Sequence, residues 1–161
     1  MGEPGEQTGG DSSVEFHRRI HVAAAIIVRG EAGPAGDGTA RSPLGREILA
    51  TQRGYGEFKD WWEFPGGKVQ PGETSREACV RELREELAVE LADVTPFMTI
   101  DYDYPEFHLT MDCFTCRLVP GEHISLLEHE AMRWLGQGEL DAVRWLPADI
   151  EIIDALRSVL A

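Results

Sequence analysis

The stretch from Gly67 to Val89, GKVQPGETSREACVRELREELAV, constrains this chain more than any other, because a glycine- and proline-bearing loop runs there into a strongly marked helix. Thr74 is a good N-cap, and Glu77 three positions later completes a capping box. Cys79, Leu83 and Leu87 recur every four residues as an apolar stripe suited to packing on a sheet. The pattern predicts a helix over 75–88. On it, Glu82, Glu85 and Glu86 fall at relative angles of about 0°, 300° and 40°, so one narrow face carries three carboxylates. Two such groups roughly 5–6 Å apart repel by about 3 kcal/mol at an effective dielectric near 20, and by roughly a few tenths of a kcal/mol in open water. The charge pattern therefore leaves two readings. The face is solvated and laced by the pairs Glu77–Arg81 and Arg81–Glu85, or it lines a cleft where hard divalent cations offset the charge.

Charge bears on that choice. With 29 Asp plus Glu against 15 Lys plus Arg, the net charge is −14, a surface that repels a nucleic-acid backbone. An acidic protein that handles a polyphosphate needs cations to mediate the contact. The 161 residues suffice for one domain with a proper core. No apolar run precedes Ile20 and none approaches the roughly 18 residues of a membrane span, so neither a signal peptide nor a spanning helix is expected. Three cysteines, Cys79, Cys113 and Cys116, suit the reduced thiols of a cytoplasmic protein. Cys113 and Cys116 form a Cys-x-x-Cys, but on a strand an offset of three sends them to opposite faces, and no second pair completes a zinc site.

Around the helix the chain reads as strands. Residues 1–16 are a polar tail expected to be disordered, and 17–161 form a single domain. Arg19–Val28 (RIHVAAAIIV) reads as a buried strand, 30–46 as a Gly/Pro-rich loop and Glu47–Gln52 as a strand, which together suggest a long hairpin with a mobile tip. Two strands are expected over 97–104 and 107–118, and short extended pieces over Glu130–Leu135 and Ala142–Leu146. Residues 148–160 form an amphipathic terminal helix behind Pro147. The order predicts an α+β protein, an α/β/α sandwich with helices against a sheet.

The spacing decides more than the charge. Gly67 is followed after five residues by Glu73, after seven more by Arg81-Glu82-Leu83, then by Glu85-Glu86 and Val89. This resembles the Nudix signature at every fixed position but one, since the family has Gly where this chain has Ala88. Alanine tolerates a left-handed C-cap less well than glycine, so the helix is expected to end differently here. The resemblance extends over roughly 20–160 and looks closest to the MutT-type branch. It implies a mixed central sheet, a catalytic loop and helix, and Mg²⁺ (with Mn²⁺ able to substitute). It also implies water attack on a triphosphate, giving a nucleoside monophosphate and pyrophosphate. By the same resemblance Glu82, Glu85 and Glu86 are metal-binding carboxylates, and Gly66 offers its carbonyl to a metal. Glu73 and Arg81 brace loop against helix, and Lys68 meets phosphate. Glu128, six residues before Trp134, binds metal or activates water, with Glu130 as the nearby alternative. Glu86 and Glu128 are the candidates for general base.

For the base the resemblance points to Asp149 in LPAD, where MutT-type enzymes of the bacterial kind carry Asn. An ionised Asp only accepts hydrogen bonds, which suits the guanine N1–H and amino groups or the cytosine amino group, and helix support is the competing role. Arg53 matches a substrate-contacting Arg, and Phe107 a position that faces the base, with surface and core roles as the alternatives. Trp61, Trp62, Tyr102 and Tyr104 read as hydrophobic structure, Glu57 and Lys59 near Tyr55 as a solvated loop, and His129 as a surface residue. The substrates implied are (deoxy)nucleoside triphosphates, including oxidised ones such as 8-oxo-dGTP, in a nucleotide-sanitising role tied to DNA repair. The alternatives are CTP- or dCTP-type nucleotides or nucleoside diphosphate derivatives, and a non-catalytic nucleotide-sensing domain. The expected partner is a small nucleotide, with no duplex nucleic acid and no membrane, acting on a monomer or homodimer.

Overall fold

The computed structural model describes residues 18–30 and 46–159. The expected tail at 1–16 and most of the loop at 30–46 lie outside the described residues. The elements in order are β1 (Arg18–Arg29), β2 (Glu47–Arg53), β3 (Trp62–Glu63), β4 (Gly66–Lys68), α1 (Ser75–Leu87), β5 (Leu91–Tyr104), β6 (Phe107–Leu118), β7 (His129–Gly136) and α2 (Ile150–Val159), with single 3₁₀ turns at Gln137–Glu139 and Pro147–Asp149. No helix is long and apolar enough to cross a membrane among these residues.

Strand β1 organises the sheet. One edge pairs in parallel with β6, from Arg18↔Phe107 to Ile27↔Cys116, and β6 continues antiparallel into β5. Along the other edge β1 takes β4 at Val22–Ala24, then meets β2 at Val28↔Ile48 and Arg29↔Glu47. The expected pairing of β1 with β2 is present, but it is short: the strands share those two rungs and part. Past them β2 pairs with β3 on the edge that faced β1, and with β7 on the other. A wedge opens between the diverging strands. The strand expected over Ala142–Leu146 reduces to one bridge, Trp62↔Trp145, because Gln137–Glu139 turns helically after β7.

Both faces of the sheet are covered, which is why β1 reads as an apolar run rather than an alternation. Ala23, Ala25 and Ile27 pack with Cys79, Leu83 and Leu87 of α1, and Ala24 and Ile26 pack with Ile152, Ile153 and Leu156 of α2. Each buried Leu or Ile contributes about 1.5–3 kcal/mol, and the alanines of β1 let α1 approach closely. Cys113 joins the α2 side and Cys116 the α1 side, both as free thiols whose pKa burial raises.

α1 begins as expected: the Thr74 hydroxyl accepts from the Glu77 N–H at 3.1 Å and donates to the Glu77 carboxylate at 3.2 Å. That bond turns Glu77 toward the cap, in place of the expected pair with Arg81. At the other end Ala88 adopts the left-handed conformation that glycine favours (φ 56°, ψ 40°), its N–H returning to Arg84 O. The missing glycine therefore does not alter helix termination, contrary to expectation; the strain is tolerated. Ala88 is exposed, so Ala88→Gly relieves that strain without loss of packing. It is expected to stabilise the protein by about 1 kcal/mol and raise the melting temperature by about 3 °C, which calorimetry would measure. An unchanged or lower melting temperature would show that no strain is stored there.

Candidate active site

The wedge between β1 and β2 holds a cleft of about 680 Å³. The bend Pro65-Gly66-Gly67 forms one wall, docked on β1 by Ala25 N–H to Pro65 O at 2.8 Å. Space there is tight at both glycines. A Cβ on Gly66 would lie 2.0 Å from Ala23 O, and one on Gly67 would lie 2.4 Å from the Glu82 carboxyl carbon. Gly66 N–H donates to Glu86 Oε2 at 3.2 Å, so bend and helix are joined at the carboxylate face.

Arg81 fixes the loop to the helix. Its Nε and Nη2 bind the two oxygens of Glu73 at 2.7 and 2.9 Å, Nη2 also reaches Lys68 O at 2.9 Å, and Nη1 donates to Glu82 at 2.8 Å and Glu85 at 3.2 Å. The paired Arg81 guanidinium holds the Glu73 carboxyl below the usual carboxylate range.

The three helix carboxylates do not share one environment. Glu86 is 7% exposed and Glu82 is partly buried, and both line the cleft, whereas the Glu85 side chain is 54% exposed on the rim. Burial, with Glu82, Glu63 and Glu128 adding like charge, pushes Glu86 up to about 9. Glu128 reaches the cleft because the loop before β7 is tied to the end of α1 by Ser125 N–H to Leu87 O and Leu127 N–H to Glu86 O. Arg53, Gly66, Lys68, Glu82, Glu86, Phe107, Glu128 and Asp149 thus meet around one cavity, while Glu73, Arg81 and Glu85 stand outside its lining.

Asp149 is also buried in the lining, next to Ala148, whose N–H donates to the Tyr104 hydroxyl at 3.2 Å, and the Tyr104 ring stacks on Phe107 at 4.9 Å. Burial first, then the charge of Glu63, raises the Asp149 carboxyl well above its ordinary range, against the pull of Arg53. This corrects the expectation of an ionised Asp149: its surroundings favour the neutral acid, which donates as well as accepts.

Sequence reasoning missed several members of this site. Glu63 lies 3.8 Å from Arg53 Nη1 and 3.4 Å from His129 Nε2, and raises the pKa of both Glu86 and Asp149. His129, read as a surface residue, has a side chain 6% exposed in the cleft wall. Tyr104 lines the cleft as well, and so do Tyr55, Glu57 and Phe58 of a loop expected to be merely solvated. A polar residue inside the apolar run Trp61–Phe64 was the one available hint of Glu63.

The oxygen-rich end suits a hard divalent cation. Among the described residues no three acidic, imidazole or thiol groups already enclose a common point, and Arg81 engages both Glu82 and Glu85. The donor set nonetheless fits such an ion. Glu86 is a carboxyl that burial and three neighbours keep protonated, and a cation is what allows it to ionise.

A mixed sheet between two helices, with a glycine-braced acidic helix at a cleft, defines a hydrolase fold of the Nudix type. Residues 19–156 match the NUDIX domain family model. The chain is 30% identical over 157 residues to the CTP pyrophosphohydrolase of Escherichia coli, covering 89% of this chain and 96% of that protein. It is 41% identical over 97 residues to the 8-oxo-dGTP diphosphatase of Proteus vulgaris, 60% of this chain and 75% of that one. Two Mycobacterium tuberculosis relatives, 40% identical, are matched over 66% of their own length. The solution structure of the Escherichia coli ORF135 protein superposes with a TM-score of 0.67 at 30% identity, covering 92% of this chain and 95% of that one. The chain belongs to the Nudix family of hydrolases.

Proposed function

We propose that this protein hydrolyses nucleoside triphosphates to a nucleoside monophosphate and pyrophosphate, working in the cytoplasm on the free nucleotide pool. The observation that carries the reading is the polarity of one cleft. Glu82, Glu86, Glu128 and the Gly66 backbone crowd one part of it, and the buried Asp149 with the Tyr104–Phe107 stack closes another. A triphosphate and a base have those complementary needs.

Glu82, Glu86, Glu128 and the Gly66 carbonyl would hold Mg²⁺, or Mn²⁺ in its place, with Glu85 available from the rim. When bound, the cation supplies neutralisation of phosphate charge and a lower water pKa. Lys68 and Arg53 meet the phosphate oxygens and hold the chain in line. Glu128, exposed at the cleft, takes the proton of the attacking water as its oxygen bonds to phosphorus and the bridging P–O bond breaks, releasing pyrophosphate. Arg81 and Glu73 hold loop and helix in register. Retention of this whole set favours catalysis over nucleotide sensing.

Two base classes fit. The relatives named for 8-oxo-dGTP support an oxidised-purine substrate and a sanitising role ahead of DNA synthesis. The 96% coverage of the CTP pyrophosphohydrolase supports a pyrimidine one. A pyrophosphate-release screen of ordinary and oxidised triphosphates with Mg²⁺ separates them, and release from none would refute the proposal. Asp149→Asn keeps a donor and an acceptor but fixes which atom does which. It is expected to reorder base preference by roughly 10-fold, the range of one lost hydrogen bond, while kcat on the best substrate stays within about threefold. An unchanged ranking would remove Asp149 from base recognition.

A further inference from the structure

On the α1 side of the sheet, away from the cleft, Asp112 of β6 gathers side chains from three other elements. Its Oδ2 accepts from the Ser75 hydroxyl in the first turn of α1 and lies 2.6 Å from His21 Nε2 on β1, and its Oδ1 accepts from Thr99 Oγ1 on β5 at 2.9 Å. Ser75 Oγ and His21 Nε2 are themselves 3.4 Å apart. Burial works to raise the Asp112 carboxyl, but the bonds from Ser75, His21 and Thr99 outweigh it and hold the group below its usual range.

Behind the cleft α1 meets the sheet through apolar Ala78, Cys79, Leu83 and Leu87, and its other polar bonds to a strand, Glu86 to Gly66 N–H and Arg81 to Lys68 O, lie toward the bend. Apolar contact is non-directional and restrains rotation or sliding of a helix weakly, whereas a hydrogen bond fixes angle and distance. The tolerance is small at the other end of the helix, where Glu82 fills the space that a Cβ on Gly67 would need and Glu86 meets Gly66 N–H at 3.2 Å. We propose that Asp112 is a positioning residue for hydrolysis: through Ser75 it sets the rotation and depth of α1 that bring Glu82 and Glu86 against the Gly66-Gly67 bend. This inference rests on the hydrolase reading above, and neither Asp112 nor Ser75 is among the residues that line the cleft.

The test compares Ser75→Ala, Ser75→Thr and Asp112→Asn in the full chain, well below the melting temperature. Misplacement of reacting groups by about 1 Å can cost on the order of 100-fold. A loosened helix is expected to cost about 10-fold in kcat, with KM for the nucleotide within about twofold. Ser75→Ala and Asp112→Asn should show that split, and Ser75→Thr, which keeps the hydroxyl, should run at the wild-type rate. Hydrogen exchange of the first-turn amides of α1 should be faster in Ser75→Ala than in wild type and normal in Ser75→Thr. If Asp112→Asn does not fold, the Ser75 pair decides alone. Unchanged kcat in Ser75→Ala, an equal fall in Ser75→Thr, or unchanged exchange in Ser75→Ala overturns the proposal. A wild-type chain inert toward every triphosphate sinks the hydrolase reading, and exchange then still reports whether Asp112 and Ser75 hold the helix.

Discussion

Exchanging Glu86 for Gln is expected to lower kcat on the order of 1000-fold while making the cation-free protein more stable. Both effects come from the same burial. The Glu86 carboxyl is pushed from 4.5 up to about 9 by loss of water and by Glu82, Glu63 and Glu128. Between those values the folded protein holds a proton that the unfolded chain has released. Stability is therefore greatest below the unfolded value, and falls as pH rises through the window toward 9. Gln has no proton to lose and keeps the neutral hydrogen-bonded shape. In the presence of chelator the urea midpoint of wild type should decline from pH 5 to pH 9. At pH 9 the variant should exceed wild type by on the order of 2 kcal/mol, much less than an isolated buried carboxyl would give, because the neighbours relax and titrate together. Asp149, raised in the same direction, leaves the variant some residual slope. Added Mg²⁺ should restore wild-type stability, because a ligand that binds the folded state alone stabilises it by mass action, and should do little for the variant. A wild-type midpoint that climbs with pH, or a variant at full rate, would contradict this account.

Two neighbouring glycines are expected to fail in opposite ways. A Cβ on Gly67 would lie 2.4 Å from the Glu82 carboxyl carbon and 2.5 Å from one of its oxygens. The end of a flexible side chain can swing away, so Gly67→Ala should fold and melt within a few degrees of wild type. Its kcat should fall about 100-fold, since Glu82 has left its place. A Cβ on Gly66 instead meets backbone, with Ala23 O at 2.0 Å and Ala24 Cα at 2.8 Å. Neither can yield without parting β4 from β1, so Gly66→Ala should cost at least about 3 kcal/mol and reduce the yield of folded protein. Paired melting curves and rates check both. A Gly67→Ala enzyme with undiminished kcat would exclude Glu82 from the chemistry.

What could be read from the sequence was what local rules govern. The capping of α1 at Thr74, its buried stripe and its carboxylates follow from spacing along one helix, and β1 announces itself as buried by being apolar without alternation. Arg53, Phe107 and Asp149 were reached through resemblance and meet at the cleft. The misses share a cause. The parallel partnership of β1 and β6 joins distant segments, so no local pattern announces it, whereas the short antiparallel contact of β1 with β2 joins neighbours in sequence. Glu63 sits in the two-residue β3, too short to show a pattern, and His129 reads as a surface position; tertiary packing alone turns both inward. Ala88 followed propensity on paper, but packing of α1 imposed the glycine conformation on it.

The β1–β6 pairing also dictates when this chain can mature on the ribosome. An apolar segment containing Ala23-Ala24-Ala25-Ile26-Ile27 emerges early, yet its partner, Phe107–Cys116, is made only after the whole acidic helix. Closing such a long loop is entropically costly and slow, and an unpaired strand is a template for aggregation in the interval. One edge of β1 therefore stays open until residue 116 has been made, although β2 and β4 can already occupy the other.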